Sequence, residues 1–253
     1  MLLVLAAFLL PVALRAALYP FEDRPHGWRD ADWSSIGSLP AAARHPAARV
    51  LVLSGRTGGL KGVVSVHSWV VLKRKDASSW SRYDVVGWGN PVRLNGWAPD
   101  GRWYGDLPHV VIDVSGPEAE KLIPKIEAAI AEYKFRNAGD YRIWPGPNSN
   151  TFVAAVLRAV PELGVALPSN AIGRDFRPLP YLGLSDSGTG VEASLWGMAG
   201  IKLGWVEGLE VNFLGLVAGL DVRRPGVKLP GFGQVGLGRL GAMTAGTATA
   251  QDR

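Results

Sequence analysis

The chain has 253 residues with no cysteine and only four scattered histidines, so thiolate nucleophiles, disulfides, iron–sulfur ligation and Cys-ligated zinc are excluded, and neither a metal site nor a cofactor is expected. Its 27 basic and 22 acidic residues leave a net charge of +5, but they are interleaved. The longest basic runs are Lys73-Arg74-Lys75 and Arg223-Arg224, which form no phosphate-tracking stripe, so nucleic acid is not an expected partner.

In chain order, residues 1–18 come first: Met1 to Leu14 carry no charged side chain, and Arg15 alone interrupts the apolar run to Leu18. They read as an uncleaved signal anchor, short of the roughly 20 residues of a full span, with Arg15 snorkelling at one end. No small-x-small cleavage site follows, so the expected location is membrane-anchored and extracytoplasmic, or periplasmic. Residues 19–49, rich in Pro, Ala, Arg and Asp without an apolar period, read as a tether.

Residues 50–175 predict an α+β domain, a mixed or antiparallel sheet with two packed helices. Runs 50–53 and 63–72 are β-branched and nearly all apolar, as buried strands are, and shorter strands are expected at 82–88, 92–97 and 109–114 between Gly, Asn and Pro turns. A helix capped by Ser115 and Glu118 should turn Leu122, Ile123, Ile126, Ile130 and Tyr133 inward. A second helix starts at Asn148 and is stopped by Pro161.

Residues 185–240 read as glycine-rich β-hairpins. Glu207, Glu210 and Asn212 inside the apolar run argue against a membrane-spanning helix, and an exposed apolar hairpin face there would lie against a membrane or against the main domain. Residues 243–253 read as a disordered tail. Gly197-Met198-Ala199-Gly200 and Gly231-Phe232-Gly233 lack phosphate-loop spacing, so no nucleotide is expected.

Two positions can carry chemistry. His67 sits in a strand with Trp69 on the same face, and Ser149 lies in the first turn of the second helix, where backbone N–H groups of Asn148 to Asn150 favour a developing oxyanion. A serine hydroxyl is inert until a base takes its proton, and His67 is the one candidate base. Read blandly, Ser149 is a helix-cap residue and His67 a hydrogen-bonded core histidine. The tryptophans, Trp69 and Trp144 among them, are either sheet core or a stacking platform for a sugar, lipid or peptide of the cell wall.

The segments His67-Ser68-Trp69-Val70-Val71, Tyr83-Asp84-Val85-Val86-Gly87-Trp88-Gly89 and Trp144-Pro145-Gly146-Pro147-Asn148-Ser149-Asn150-Thr151-Phe152 resemble a bacterial family catalogued as a domain of unknown function, DUF3750. More distantly, a histidine on an early strand followed by Asn-x-x-x-Phe at a helix start is similar to the circularly permuted papain-like hydrolases and acyltransferases related to NlpC and to lecithin–retinol acyltransferase. That resemblance implies a permuted papain-like fold, with His67 as base and Ser149 in the place of their cysteine. It also implies a third, orienting group, for which Asp84, Asn90 and Asp100 are candidates and Asp84, on the neighbouring strand, is preferred. The expected function is hydrolysis or acyl transfer on an envelope amide or ester, or a catalytically inactive binding or scaffolding module.

Overall fold

The computed structural model describes residues 2–237 and Met243. It opens with helix α1 (Leu2–Leu18), which packs along the C-terminal sheet. No helix among the described residues is long and apolar enough to cross a membrane, so the expected anchor is not supported. Arg15, expected to snorkel, is buried and paired with Glu22, because a guanidinium taken from water needs a carboxylate beside it.

Strands β1 (Arg49–Arg56), β2 (Val66–Lys73), β3 (Ser81–Val85), β4 (Val92–Leu94) and β5 (His109–Ser115) form an antiparallel sheet in the order β4-β3-β2-β1-β5. The two central strands are buried on both faces, which explains their near-continuous apolar sequence. Helices α2 (Pro117–Ala131) and α3 (Ser149–Ala159) cover one face, packing Leu122, Ile126, Phe152 and Val153 on Val50, Val52, Val70 and Leu72. The expected Ser115 cap is absent from α2: Gly116 occupies the N-cap at φ 72°, with no side-chain hydrogen bond. The α3 cap is as expected, with Asn148 accepting from the Asn150 and Thr151 amides and Thr151 answering to the Asn148 amide.

The opposite face, carrying Leu51, Leu53, Trp69 and Val71, is covered by Trp33, Leu39, Trp97, Trp103 and Tyr104. Residues 19–49 therefore do not behave as a free tether. Asp100 holds them by accepting from Ser35 Oγ at 2.5 Å and the Ser38 amide at 2.8 Å, while Trp33 packs edge-on to Trp103 with centroids 5.1 Å apart. The segment has no hydrophobic period because it contributes isolated anchors to a surface that the sheet supplies.

After α3 the chain builds a seven-stranded antiparallel meander that runs in sequence order: β6 (Tyr181–Leu184), β7 (Gly190–Leu195), β8 (Ala199–Gly204), β9 (Gly208–Phe213), β10 (Leu216–Asp221), β11 (Gly226–Leu229) and β12 (Gly233–Gly236). Its alternation is reversed from the usual sense, most regularly on β9: on β8 Lys202 is 4% exposed and its neighbour Leu203 is 60% exposed, while on β10 Val217 is buried. Phe8 of α1 is buried edge-on against Phe213 of β9. Apart from Met243, whose amide donates to the Pro108 carbonyl at 2.7 Å, the expected disordered tail lies outside the described residues.

Candidate functional site

His67 and Ser149 line one cavity of about 570 Å³ at the junction of β2 with the start of α3. The junction is pinned by Asn150, whose side-chain amide donates to the Val66 carbonyl at 2.8 Å and to the Ile172 carbonyl at 2.9 Å. Because Val66 immediately precedes His67, this clamp fixes the helix start against the strand that carries the histidine. The Asn148 side-chain amide adds bonds to the Ile143 and Ile172 carbonyls at 3.0 and 3.1 Å.

His67 is buried, stacked on Trp103 with ring centroids 3.6 Å apart, and bonded through Nε2 to Asp84 Oδ1 at 2.8 Å. Asp84 is in turn held by Arg82, with Nε to Oδ2 at 2.8 Å and a terminal nitrogen to Oδ1 at 3.0 Å. Arg82 lies 4.2 Å over the Trp69 ring and also donates to the Ala98 carbonyl at 2.7 Å. Burial works to raise the Asp84 carboxyl, but the Arg82 charge and the hydrogen bonds from His67 and Arg82 hold it below the usual aspartate range. For His67, burial dominates and lowers its pKa despite the opposing Asp84 bond and charge.

These two shifts fix a tautomer. An ionised Asp84 only accepts hydrogen bonds, so the neutral imidazole carries its proton on Nε2 and leaves the Nδ1 lone pair as the basic atom. No hydrogen bond joins the Ser149 hydroxyl to that ring, although both side chains line the cavity.

Three of the expected assignments change. Trp69 is fully buried beneath Arg82, donates to the Pro99 carbonyl at 3.2 Å and does not line the cavity, so it is core and not a substrate contact. Asn148 and Asn150 are not free oxyanion donors. The Asn148 amide donates to Thr151 Oγ1 at 3.1 Å, the Asn150 amide to Asn148 Oδ1 at 3.0 Å, and both side-chain amides go to carbonyls. The backbone N–H at the helix start that remains uncommitted is that of Ser149 itself. Of the alternative orienting groups, Asp100 is taken up by the Ser35 to Leu39 segment.

Trp144 does line the cavity, and its indole N–H donates to the Leu214 carbonyl at 2.9 Å, tying the wall to the β9–β10 turn. Trp28, Trp33, Trp88, Tyr104 and Tyr141 complete an aromatic lining suited to an apolar or acyl group. Sequence reading missed Arg82. Its signal was the i, i+2 spacing with Asp84, which puts both on one face of β3. It also missed Trp28 and Trp33, which no local pattern links to His67, 34 or more residues away in the chain. No group of three or more metal-ligating side chains occurs among the described residues.

Residues 47–176, just over half of the chain, match the model of a family described as a protein of unknown function, DUF3750. No curated protein and no solved structure matches the chain.

Proposed function

The chain belongs to the DUF3750 family, whose matched span carries His67, Asp84 and Ser149 together, and we propose that their cavity is the active site of a hydrolase or acyltransferase acting on an ester or amide of the cell envelope. The observation that carries the reading is the buried Asp84–His67 pair opening on the same cavity as a serine at a helix start. A histidine whose far nitrogen is held by a carboxylate, beside a residue at a helix N-terminus, is also the arrangement of the permuted papain-like enzymes. The aromatic lining suits an acyl chain, and the apolar N-terminal segment suits residence at the envelope membrane.

In this mechanism His67 Nδ1 takes the proton of the Ser149 hydroxyl as Oγ attacks the carbonyl carbon. The oxyanion of the tetrahedral intermediate is met by the Ser149 N–H and the α3 dipole. Collapse breaks the bond to the alcohol or amine, which leaves with the proton from His67, and a water or a second acceptor then releases the acyl group from Ser149 by the reverse sequence. Asp84 holds the imidazole and stabilises its cationic form, with Arg82 keeping Asp84 ionised.

The absence of a Ser149–His67 hydrogen bond favours a second reading, a binding module that kept the pocket without the chemistry. One experiment separates them. The wild type should be labelled by an alkyl fluorophosphonate and Ser149→Ala should not; equal labelling of both would remove Ser149 from the mechanism. Because the chain has no cysteine, Ser149→Cys tests proximity independently. Its iodoacetamide reactivity at pH 6 should exceed that of Ser149→Cys/His67→Ala by about tenfold or more, since a nearby imidazole promotes thiolate formation. Reactivity without labelling of the wild type would leave the binding module standing.

A further inference from the structure

We infer that the outer face of the seven-stranded sheet is a docking surface for an anionic lipid bilayer, lying flat against it without spanning it. The face is continuous. Cross-strand pairing sets one aliphatic side chain per strand in a single exposed row, from Leu184 on β6 through Leu203 on β8 and Leu220 on β10 to Val235 on β12. A second row places Ile201 beside Val211, both exposed. An unbroken apolar surface across seven strands is far more than the scattered leucines of an ordinary protein exterior.

The chemistry of its surround selects lipid. All five carboxylates between residues 181 and 237 (Asp186, Glu192, Glu207, Glu210 and Asp221) are buried, as are Lys202 and Lys228, whereas Arg223 is exposed and Arg224, half-exposed, pairs with Asp221 at 3.5 Å. The accessible formal charge of this sheet outside ion pairs is therefore the cation Arg223, with no exposed carboxylate to repel anionic headgroups. Exposed tryptophans stand at both ends of the strands, Trp196 in the β7–β8 turn and Trp205 in the β8–β9 turn, where a sheet lying on a bilayer meets the headgroup layer. The rows carry no hydrogen-bonding side chain, whereas a protein partner of this size would use about one hydrogen bond per 100–200 Å². Helix α1, seated on this face through Phe8 and Phe213, adds exposed Leu9, Leu10 and Leu14. The surface stands independently of any catalysis, because it shares no residue with His67, Asp84 or Ser149.

The test uses the full chain with vesicles of phosphatidylcholine alone and of phosphatidylcholine with phosphatidylglycerol. Co-sedimentation should be strong with the anionic vesicles and weaken with salt, and Ile201→Glu/Leu203→Glu should lower it by about tenfold or more. Leu94→Glu, at an exposed leucine on β4, should leave it unchanged. The absence of native cysteine allows one environment-sensitive fluorophore to be placed through Leu203→Cys or Leu94→Cys. Vesicles should shift the emission of the first to the blue and leave the second alone. Absence of co-sedimentation would overturn the proposal. So would binding with position 203 still in water, which would assign it to α1 alone, or vesicle-independent self-association that shields position 203, which would make the face an interface between copies.

Discussion

The five-stranded sheet buries Val50, Val52, Val70 and Leu72 under two helices, whereas the seven-stranded sheet buries Lys202, Glu192, Glu210 and Lys228 and, Val217 excepted, turns most of its leucines and valines outward. Both halves obey the same two-residue alternation, so the pattern says that a strand has two unlike faces and not which one the fold covers. In the first half a helix stripe of matching apolar character does the covering. In the second the cover is the loop carrying Arg174, Asp175 and Arg177, and charge is matched to charge: Arg174 pairs with Glu210, Lys202 with Asp175 at 2.7 Å, and Arg177 with Asp186 at 2.9 Å and Glu192 at 2.5 Å. Such a layer is stable only while every member has its partner, because a lone buried charge costs more than the pair contributes.

That contrast can be broken most severely at Lys202, which faces Asp175, Asp186 and Glu192. Lys202→Ala leaves three buried carboxylates short of a cation and should cost about 3–5 kcal/mol in urea unfolding. A cost under about 1 kcal/mol would show that water reaches this layer. In the apolar half, Ile126→Ala removes a fully buried side chain and should cost about 3 kcal/mol, with no dependence on salt or pH.

Acid acts on both halves, through Asp84 in the first, held below the usual aspartate range, and through Asp175 and Asp186 in the second. Burial works to raise Asp175, but Lys202 and Arg174 hold it down to about 2, against 3.8 unfolded. A depressed carboxyl contributes stability above the unfolded value that is lost as the pH falls through the folded one, here about 2 kcal/mol between roughly pH 4 and pH 2. Asp186, also depressed, acts in the same direction; Glu192, pushed up chiefly by burial, opposes them. Circular dichroism melts between pH 2 and 6 should show the loss, and Asp175→Asn should reduce it while leaving the part due to Asp186. The smallest effect belongs to the outer face, where Leu203→Ser should move stability by no more than about 0.5 kcal/mol. A larger loss would mean that the row packs against part of this chain.

The site divides in a similar way. His67 on a strand and Ser149 at a helix start were legible because periodicity and a cap signal mark them, and the Asp84 contact follows from its place on the adjoining strand. Arg82 escaped because its i, i+2 spacing with Asp84 marks a shared strand face without saying whether that face is interior or exposed. The cavity wall escaped because Trp28 and Trp33 come from a segment without period, ordered by Asp100 more than 60 residues downstream.

By itself the amino-acid sequence determined the local alternation of the strands, the Asn148 cap and the amphipathic stripes of α2 and α3, all of which depend on residues a few positions apart. Only the tertiary structure decided that residues 19–49 pack against the first sheet, that Trp69 supports Arg82 and lies outside the cavity, and that the second sheet turns its charges inward. The physical reason is the same in each case. An alternating strand or an isolated tryptophan is compatible with either side of an interface, and the side it takes depends on which distant groups satisfy its charge or cover its apolar surface.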